Sequence, residues 1–176
     1  MYASADHLYM GIIRLPQLAI SGGAKAGRVQ LTAGFNDTLR NSSARIGLEA
    51  ALDDEPGEHG RRINLMFRPS HLTSDGQTWN LISTRMVIDT ASIDVGRFVM
   101  QHDDQLLMLG GVASRRAEDS LQLRLVNFHI APFMQFAENL GYEVDARTNG
   151  RATMTAALGQ PMLTADIRVD SLSANN

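Results

Sequence analysis

Apolar side chains recur at every second position through most of this chain, and the pattern gives way to helical spacing in only one place. A period of two puts alternate side chains on the same face of an extended strand. Leu121, Leu123 and Leu125 set against Gln122 and Arg124 are typical, as are Leu163, Ala165, Ile167 and Val169 set against Thr164, Asp166 and Arg168. Turn-forming clusters separate the runs: Ser21-Gly22-Gly23, Asn36-Asp37, 53–60, Ser74-Asp75-Gly76, His102-Asp103-Asp104, 115–119, Asn149-Gly150 and Gly159-Gln160-Pro161. About ten short strands joined by hairpin-length connections make an all-β antiparallel fold. The acidic turn from Asp53 to Gly60 is the longest of these connections and the expected mobile tip.

The exception lies between Ala131 and Leu140. Phe133, Phe136, Ala137 and Leu140 fall at i, i+3, i+4 and i+7, with Pro132 near the start and Gly141 just past the end. That arrangement predicts one short amphipathic helix near 131–140. It is too small to cover a sheet of about ten strands, which at ~4.8 Å per strand extends roughly 48 Å. An uncovered flat sheet would leave a large apolar face in water, so the sheet must curl on itself. A closed sandwich or barrel satisfies this, and so does a deeply curved sheet enclosing an apolar groove. Alternation alone does not separate them.

Composition removes other classes. At 176 residues the chain fits one domain, and 44% hydrophobic with 20% charged residues is an ordinary globular composition. A net charge of −3 supplies no basic field for nucleic acid. Cysteine is absent, which removes disulfides, thiolate metal sites and a cysteine nucleophile. No run approaches the ~18 apolar residues of a membrane span. Both ends sit within strand-like alternation, so the sequence is expected to be a fragment, 1–176, of a longer protein, and any anchor or targeting signal would lie outside it.

Chemistry-bearing motifs are weak. His7, His59, His71, His102 and His129 are scattered without metal-ligand spacing. His102 beside Asp103 and Asp104 reads as a polar hairpin turn, and Asp53, Asp54, Glu55 and Glu58 lack the spacing and glycine of a calcium loop. Gly22-Gly23-Ala24-Lys25-Ala26-Gly27 lacks the Gly-Lys-Ser/Thr of a phosphate loop and precedes a strand, so it reads as a hairpin turn. No serine lies in Gly-x-Ser-x-Gly. The expectation is a non-enzymatic chain without metal or cofactor. Trp79 follows a turn and reads as a packed strand residue.

Several phrases, in order and spacing, carry a resemblance: Asp104-Gln105-Leu106-Leu107 with Gly111-Val112-Ala113-Ser114; 119–125 followed by Asn127-Phe128-His129-Ile130-Ala131-Pro132-Phe133; Thr148-Asn149-Gly150-Arg151-Ala152; and 161–169. From about Ile63 to Leu172 the chain resembles the C-terminal region of the TamB family, the translocation and assembly module of Gram-negative bacteria, in the style of its Bacteroidetes members. Arg68-Pro69-Ser70-His71-Leu72 through Trp79 fits the same style, whereas Ala146 departs from it, standing where the family often has a glycine before Asn-Gly.

The resemblance implies a periplasmic envelope protein anchored in the inner membrane, its β-structure curled into a taco-shaped trough with an apolar lining. It also implies an outer-membrane partner of the Omp85 class, a role in outer-membrane protein assembly and autotransporter secretion, and phospholipid movement between the membranes. The alternation then nominates the groove lining: Val29, Leu31, Phe35, Ile46, Leu48, Ile63, Leu65, Phe67, Ile88, Phe98, Met100, Leu107, Leu109, Leu121, Leu123, Leu125, Met154, Leu158, Leu163, Ile167 and Val169. Phe133, Phe136 and Leu140 are candidates for a gate or plug. Expected partners are phospholipid or another acyl-chain ligand and client β-strands, with edge-strand self-association of a fragment. The rival reading is a closed β-sandwich serving as a structural or surface module with no internal ligand.

Overall fold

The computed structural model describes residues 2–10, 13–38, 41–53, 60–134 and 143–175. They form β1 (Tyr2–Met10), β2 (Ile13–Lys25), β3 (Arg28–Asp37), β4 (Ser42–Leu52), β5 (Ile63–Phe67), β6 (Ser70–Ser74), β7 (Gln77–Ile82), β8 (Thr84–Ile88), β9 (Ser92–His102), β10 (Gln105–Ser114), β11 (Ser120–His129), α1 (Ala131–Met134), β12 (Glu143–Thr155) and β13 (Met162–Asn175). The described strands make a single curved antiparallel sheet of 13, so the all-β expectation holds.

The sheet follows the order β1-β2-β3-β4-β5-β8-β9-β10-β11-β12-β13, with β6 bridging β4 to β7 and β7 pairing with β9. The branch is one long hairpin, 63–88, interrupted on both arms. Pro69 has no N–H to give the ladder. At that break the Arg68 N–H donates to the Gly47 carbonyl at 2.9 Å, and the Gly47 N–H donates to the Ser70 hydroxyl at 3.0 Å. The hairpin tip is Asp75-Gly76, with φ of 49° and 73°, the left-handed pair of a tight type I′ turn.

Three expected turns lie elsewhere. Ser21-Gly22-Gly23 is inside β2, and the reversal is made by Ala26-Gly27, again with both φ positive at 49° and 73°. Asn149-Gly150 is inside β12, and Asn36-Asp37 closes β3. The strand count also exceeds ten, because β1, β2, β6 and β7 are further strands, although Ile93 to Met100 belongs to one strand with a bulge. Of the expected helix, Ala131–Met134 is present; Phe136, Leu140 and the acidic stretch 54–59 lie outside the described residues.

Bulges preserve the apolar face where the alternation slips. Leu125 pairs with Gly150 and Phe128 with Thr148, so two residues of β11 oppose one of β12. Val169 pairs with Thr148 and Leu172 with Ala146, so Asp170 is the extra residue in β13. Asn149 joins these two bulges: its Oδ1 accepts from the Asn127 N–H at 2.8 Å, and its Nδ2 donates to Asp170 at 2.8 Å. Its neighbour Gly150 has φ 149°, and a Cβ there would lie 2.2 Å from the Asp166 carbonyl oxygen, so no other residue fits. This Asn-Gly pair is therefore a cross-strand clamp that bends the sheet. Ala146 takes no part in a turn: it is buried and its carbonyl accepts the Ile130 N–H at 2.9 Å.

Candidate functional site: the apolar face of the sheet

The register aligns the apolar positions of successive strands into continuous rows. Ala24, Val29, Ala50, Leu65, Met86, Val95, Gly111, Leu121, Met154 and Leu163 are each the cross-strand partner of the next, across ten strands without a polar interruption. At ~4.8 Å per strand that row is about 43 Å long. A second row runs Phe98, Leu109, Leu123, Ala152, Ala165, and a third runs Leu81, Met100, Leu107, Leu125, Gly150, Ile167. Leu31 with Leu48 and Phe67, Ile46 with Ala33, Phe35 with Ala44, Ile63 with Ile88, and Val169 with Thr148 complete the same face.

Every nominated lining residue is on this face except Leu158. β12 ends at Thr155, and Leu158 lies in the connection to β13, held by its N–H to the Ser114 carbonyl at 2.9 Å. Alternation continued through Ala156 in the sequence, but Ala156 has φ 49° and turns the chain there. Met86, Ile93 and Val95 belong to the face on the strength of their pairing, as do Leu72, Leu81 and Leu172.

Among the described residues this face is covered most fully at one end, with a second buried patch at Val95 and Ala113. Where β7, β9 and β11 converge, Trp79 packs its ring 5.2 Å from Phe128, 5.1 Å from Phe133 and 5.6 Å from His102, while Phe128 and Phe133 stack at 5.2 Å. β7 and β11 are three strand spacings apart in the sheet, about 14 Å if it were flat. Their rings touch because the sheet curls toward its apolar side. α1 lies over the cluster, secured by a hydrogen bond from the Ser74 hydroxyl to the Pro132 carbonyl. Trp79 and Ser74 have no accessible surface, and Phe35, Leu81, Phe128 and Ala146 are buried. His102 belongs to this packing, its Nδ1 donating to the Thr78 carbonyl at 2.8 Å. The Trp79 indole N–H, in contrast, has no hydrogen-bond partner.

Apart from Val95 and Ala113, which are buried, most of the rest of the face is half-buried or exposed. Leu31, Leu48, Leu65, Phe67, Met100, Leu107, Leu109, Leu121, Leu123, Leu125 and Met154 are half-buried, while Val29, Ile46, Ile63, Leu163, Ile167 and Val169 are exposed. The chain presents 11309 Å² of accessible surface at 19.2 kDa. A close-packed monomer of that mass presents roughly 8,400 Å². An excess of this size goes with a sheet whose apolar side is only partly covered by the described residues.

Over β3, β4, β5 and β8 the opposite face is ion-paired, whereas farther along the sheet it carries the cross-strand set Ile82, Val99 and Met108, with Val99 buried. Glu49 accepts from Arg68 and Arg28, and Asn64 bridges Asp53 and Arg85. The guanidinium of Arg68 bonded to Glu49 is the main reason its carboxyl sits below the usual carboxylate range. These residues surround a cavity of about 520 Å³ that opens beside the Ala26-Gly27 turn and reaches Leu52 and Leu65. Among the described residues, no three histidine or acidic side chains gather as a metal-binding group.

No family model, curated protein or solved structure matches the chain.

Proposed function

We propose that this chain is a segment of a TamB-like envelope protein, acting in the periplasm as an apolar β-trough that carries phospholipid between the inner and outer membranes. The observation that carries the reading is the uninterrupted apolar row crossing ten strands on the concave side of a sheet that leaves it half-exposed. Each acyl methylene moved from water onto such a face gains about 0.8 kcal/mol. Successive rows offer nearly equivalent aliphatic contacts, so an acyl chain is solvated without a deep trap. Transfer of this kind needs no bond-making chemistry and no cofactor.

The same surface accommodates a second cargo. β13 pairs with β12 on one side only, leaving a 14-residue edge. A client outer-membrane β-strand adds to such an edge through backbone hydrogen bonds. An Omp85-class partner belongs to that version of the reading, as does a part in autotransporter secretion. The rival closed sandwich needs two facing sheets, and the described strands belong to one.

Native mass spectrometry of the detergent-free protein, followed by organic extraction, tests the reading. Phospholipid is expected on the wild type and on Gln122→Arg, whose side chain is exposed on the polar face, but not on Leu123→Arg, which puts a guanidinium into the second apolar row. Circular dichroism verifies that both variants fold. Equal lipid on all three, or none on the wild type, sinks the proposal.

A further inference from the structure

The apolar face and the mixed-charge cavity meet at one rim of the sheet, and the aromatic cluster lies at the other end of the hairpin arm that carries Arg85. β4 ends at Leu52 and β5 begins at Ile63, the two being cross-strand partners that are 55% and 39% exposed. Leu52 is on the apolar face by register and also lines the cavity. An apolar path thus runs from the cavity over Leu52 onto the concave side, whereas Trp79 blocks the far end completely. A molecule lying along the strands therefore meets charge at one end and rings at the other.

Length and charge both specify the occupant. From Gly111 in the long apolar row to Leu107 in the third row is four residue steps along β10, about 14 Å at ~3.4 Å per residue. That is close to the hydrocarbon depth of one leaflet, half of a ~30 Å bilayer core. The cavity sets Arg28 and Arg85 beside Glu49 and Asp53, with Asn64 bridging Arg85 to Asp53. Arginine forks match phosphate oxygens, and carboxylates match an ammonium. A purely anionic headgroup would satisfy the arginines and leave the carboxylates facing more negative charge.

We propose that the cavity beside the Ala26-Gly27 turn seats the zwitterionic headgroup of a single phospholipid, whose acyl chain crosses Leu52 and runs along the strands with its methyl end toward Trp79. The inference rests on the trough reading and adds to it a binding polarity and a headgroup class. The lipid lies parallel to the strands.

Trp79 is the only tryptophan in the chain, so its emission reports on the closed end alone. The experiment loads the detergent-free protein from vesicles of phosphatidylcholine brominated either near the chain terminus or near the carbonyl. Terminal bromines are expected to cause the larger loss of Trp79 emission per bound lipid. Replacing both Arg28 and Arg85 with glutamine should lower bound phosphatidylcholine about ten-fold, as loss of a charge-assisted contact does. Wild type should also take up phosphatidylglycerol about ten-fold less well than phosphatidylcholine. An unchanged Trp79 emission maximum in the lipid-free variant verifies that its fold is kept. Equal or inverted quenching by the two brominated lipids overturns the polarity. Undiminished loading of the arginine variant, or equal uptake of phosphatidylglycerol, overturns the headgroup site while leaving the trough standing. Failure of every lipid to load overturns the trough reading itself, and this inference with it.

Discussion

Trp79 and Leu163 belong to the same apolar face of the same sheet, yet Trp79 has no accessible surface and Leu163 is 62% exposed. Neither difference in polarity nor difference in strand pattern accounts for this. Trp79 has rings on three sides and α1 above it, brought there by the curl of the sheet. Leu163 is in an edge strand with one neighbour, and its partner Met154 is itself only half-buried. Even Met162, on the other side of β13, is exposed. The comparison teaches that a strand face acquires a core only where something returns to cover it, and in this chain the buried aromatic side chains gather at one end.

The widest separation between the two regions comes from truncating each. Trp79→Ala is expected to cost about 3–5 kcal/mol, because it empties a closed aromatic cluster that cannot collapse fully. Urea unfolding followed by circular dichroism measures this, and a cost below that of an exposed residue would mean the cluster is open in solution.

Next in size is the latch over that cluster. Ser74→Ala removes the hydroxyl that bonds the Pro132 carbonyl and leaves a buried acceptor without it, an expected loss of about 1–3 kcal/mol. The same change should raise the accessibility of Trp79 to acrylamide. If stability falls with no change in quenching, the bond stabilises the sheet without holding α1 over the rings.

Leu163→Lys should shift stability by no more than about 0.5 kcal/mol, as befits an exposed edge position. Amide exchange in β13 should correspondingly outpace that in β9, which is paired on both sides. A loss approaching that of Trp79→Ala would show that β13 is covered in solution, by another copy or another strand, and the contrast between the two regions would disappear.

The smallest effect concerns the polar face. Glu49 is held below the ordinary carboxylate value of 4.5, chiefly by its hydrogen bond from Arg68. A lowered carboxylate pKa contributes stability at neutral pH, and that contribution is lost as pH falls from the ordinary carboxylate range through the lowered value. Wild type should therefore lose slightly more stability than Glu49→Gln between pH 7 and the acid range, measured by unfolding midpoints. Glu118, lowered by its own backbone hydrogen bond and by Arg116, is common to both proteins and cancels from the difference. An identical pH dependence would mean that the Arg68 pair is too well solvated to matter.

Much of this architecture is legible in the chain itself. Alternation places nearly every nominated side chain on its correct face, because pleating leaves no freedom in which way the next residue points. Even the slips are visible: the steps from Val95 to Phe98 and from Leu125 to Phe128 are three residues where alternation takes two, and each coincides with a bulge. Where the reading fails, the competing signal is glycine or asparagine chemistry that serves two purposes. Asn149-Gly150 has the composition of a turn, but its partners Asn127 and Asp170 are bulges more than twenty residues away in either direction. Leu158 continues an alternation that the positive φ of Ala156 has already ended.

The sequence by itself determined an all-β antiparallel chain, which side chains share a face and that this face is apolar, since those follow from a two-residue period and local turn chemistry. Only the tertiary structure decided which part of the face is closed. Closure depends on Trp79, Phe128 and Phe133 meeting across a curved sheet and on Ser74 reaching Pro132, 58 residues away. Contacts at that separation are set by how bulges accumulate into curvature, and curvature belongs to the assembled sheet, not to any one strand.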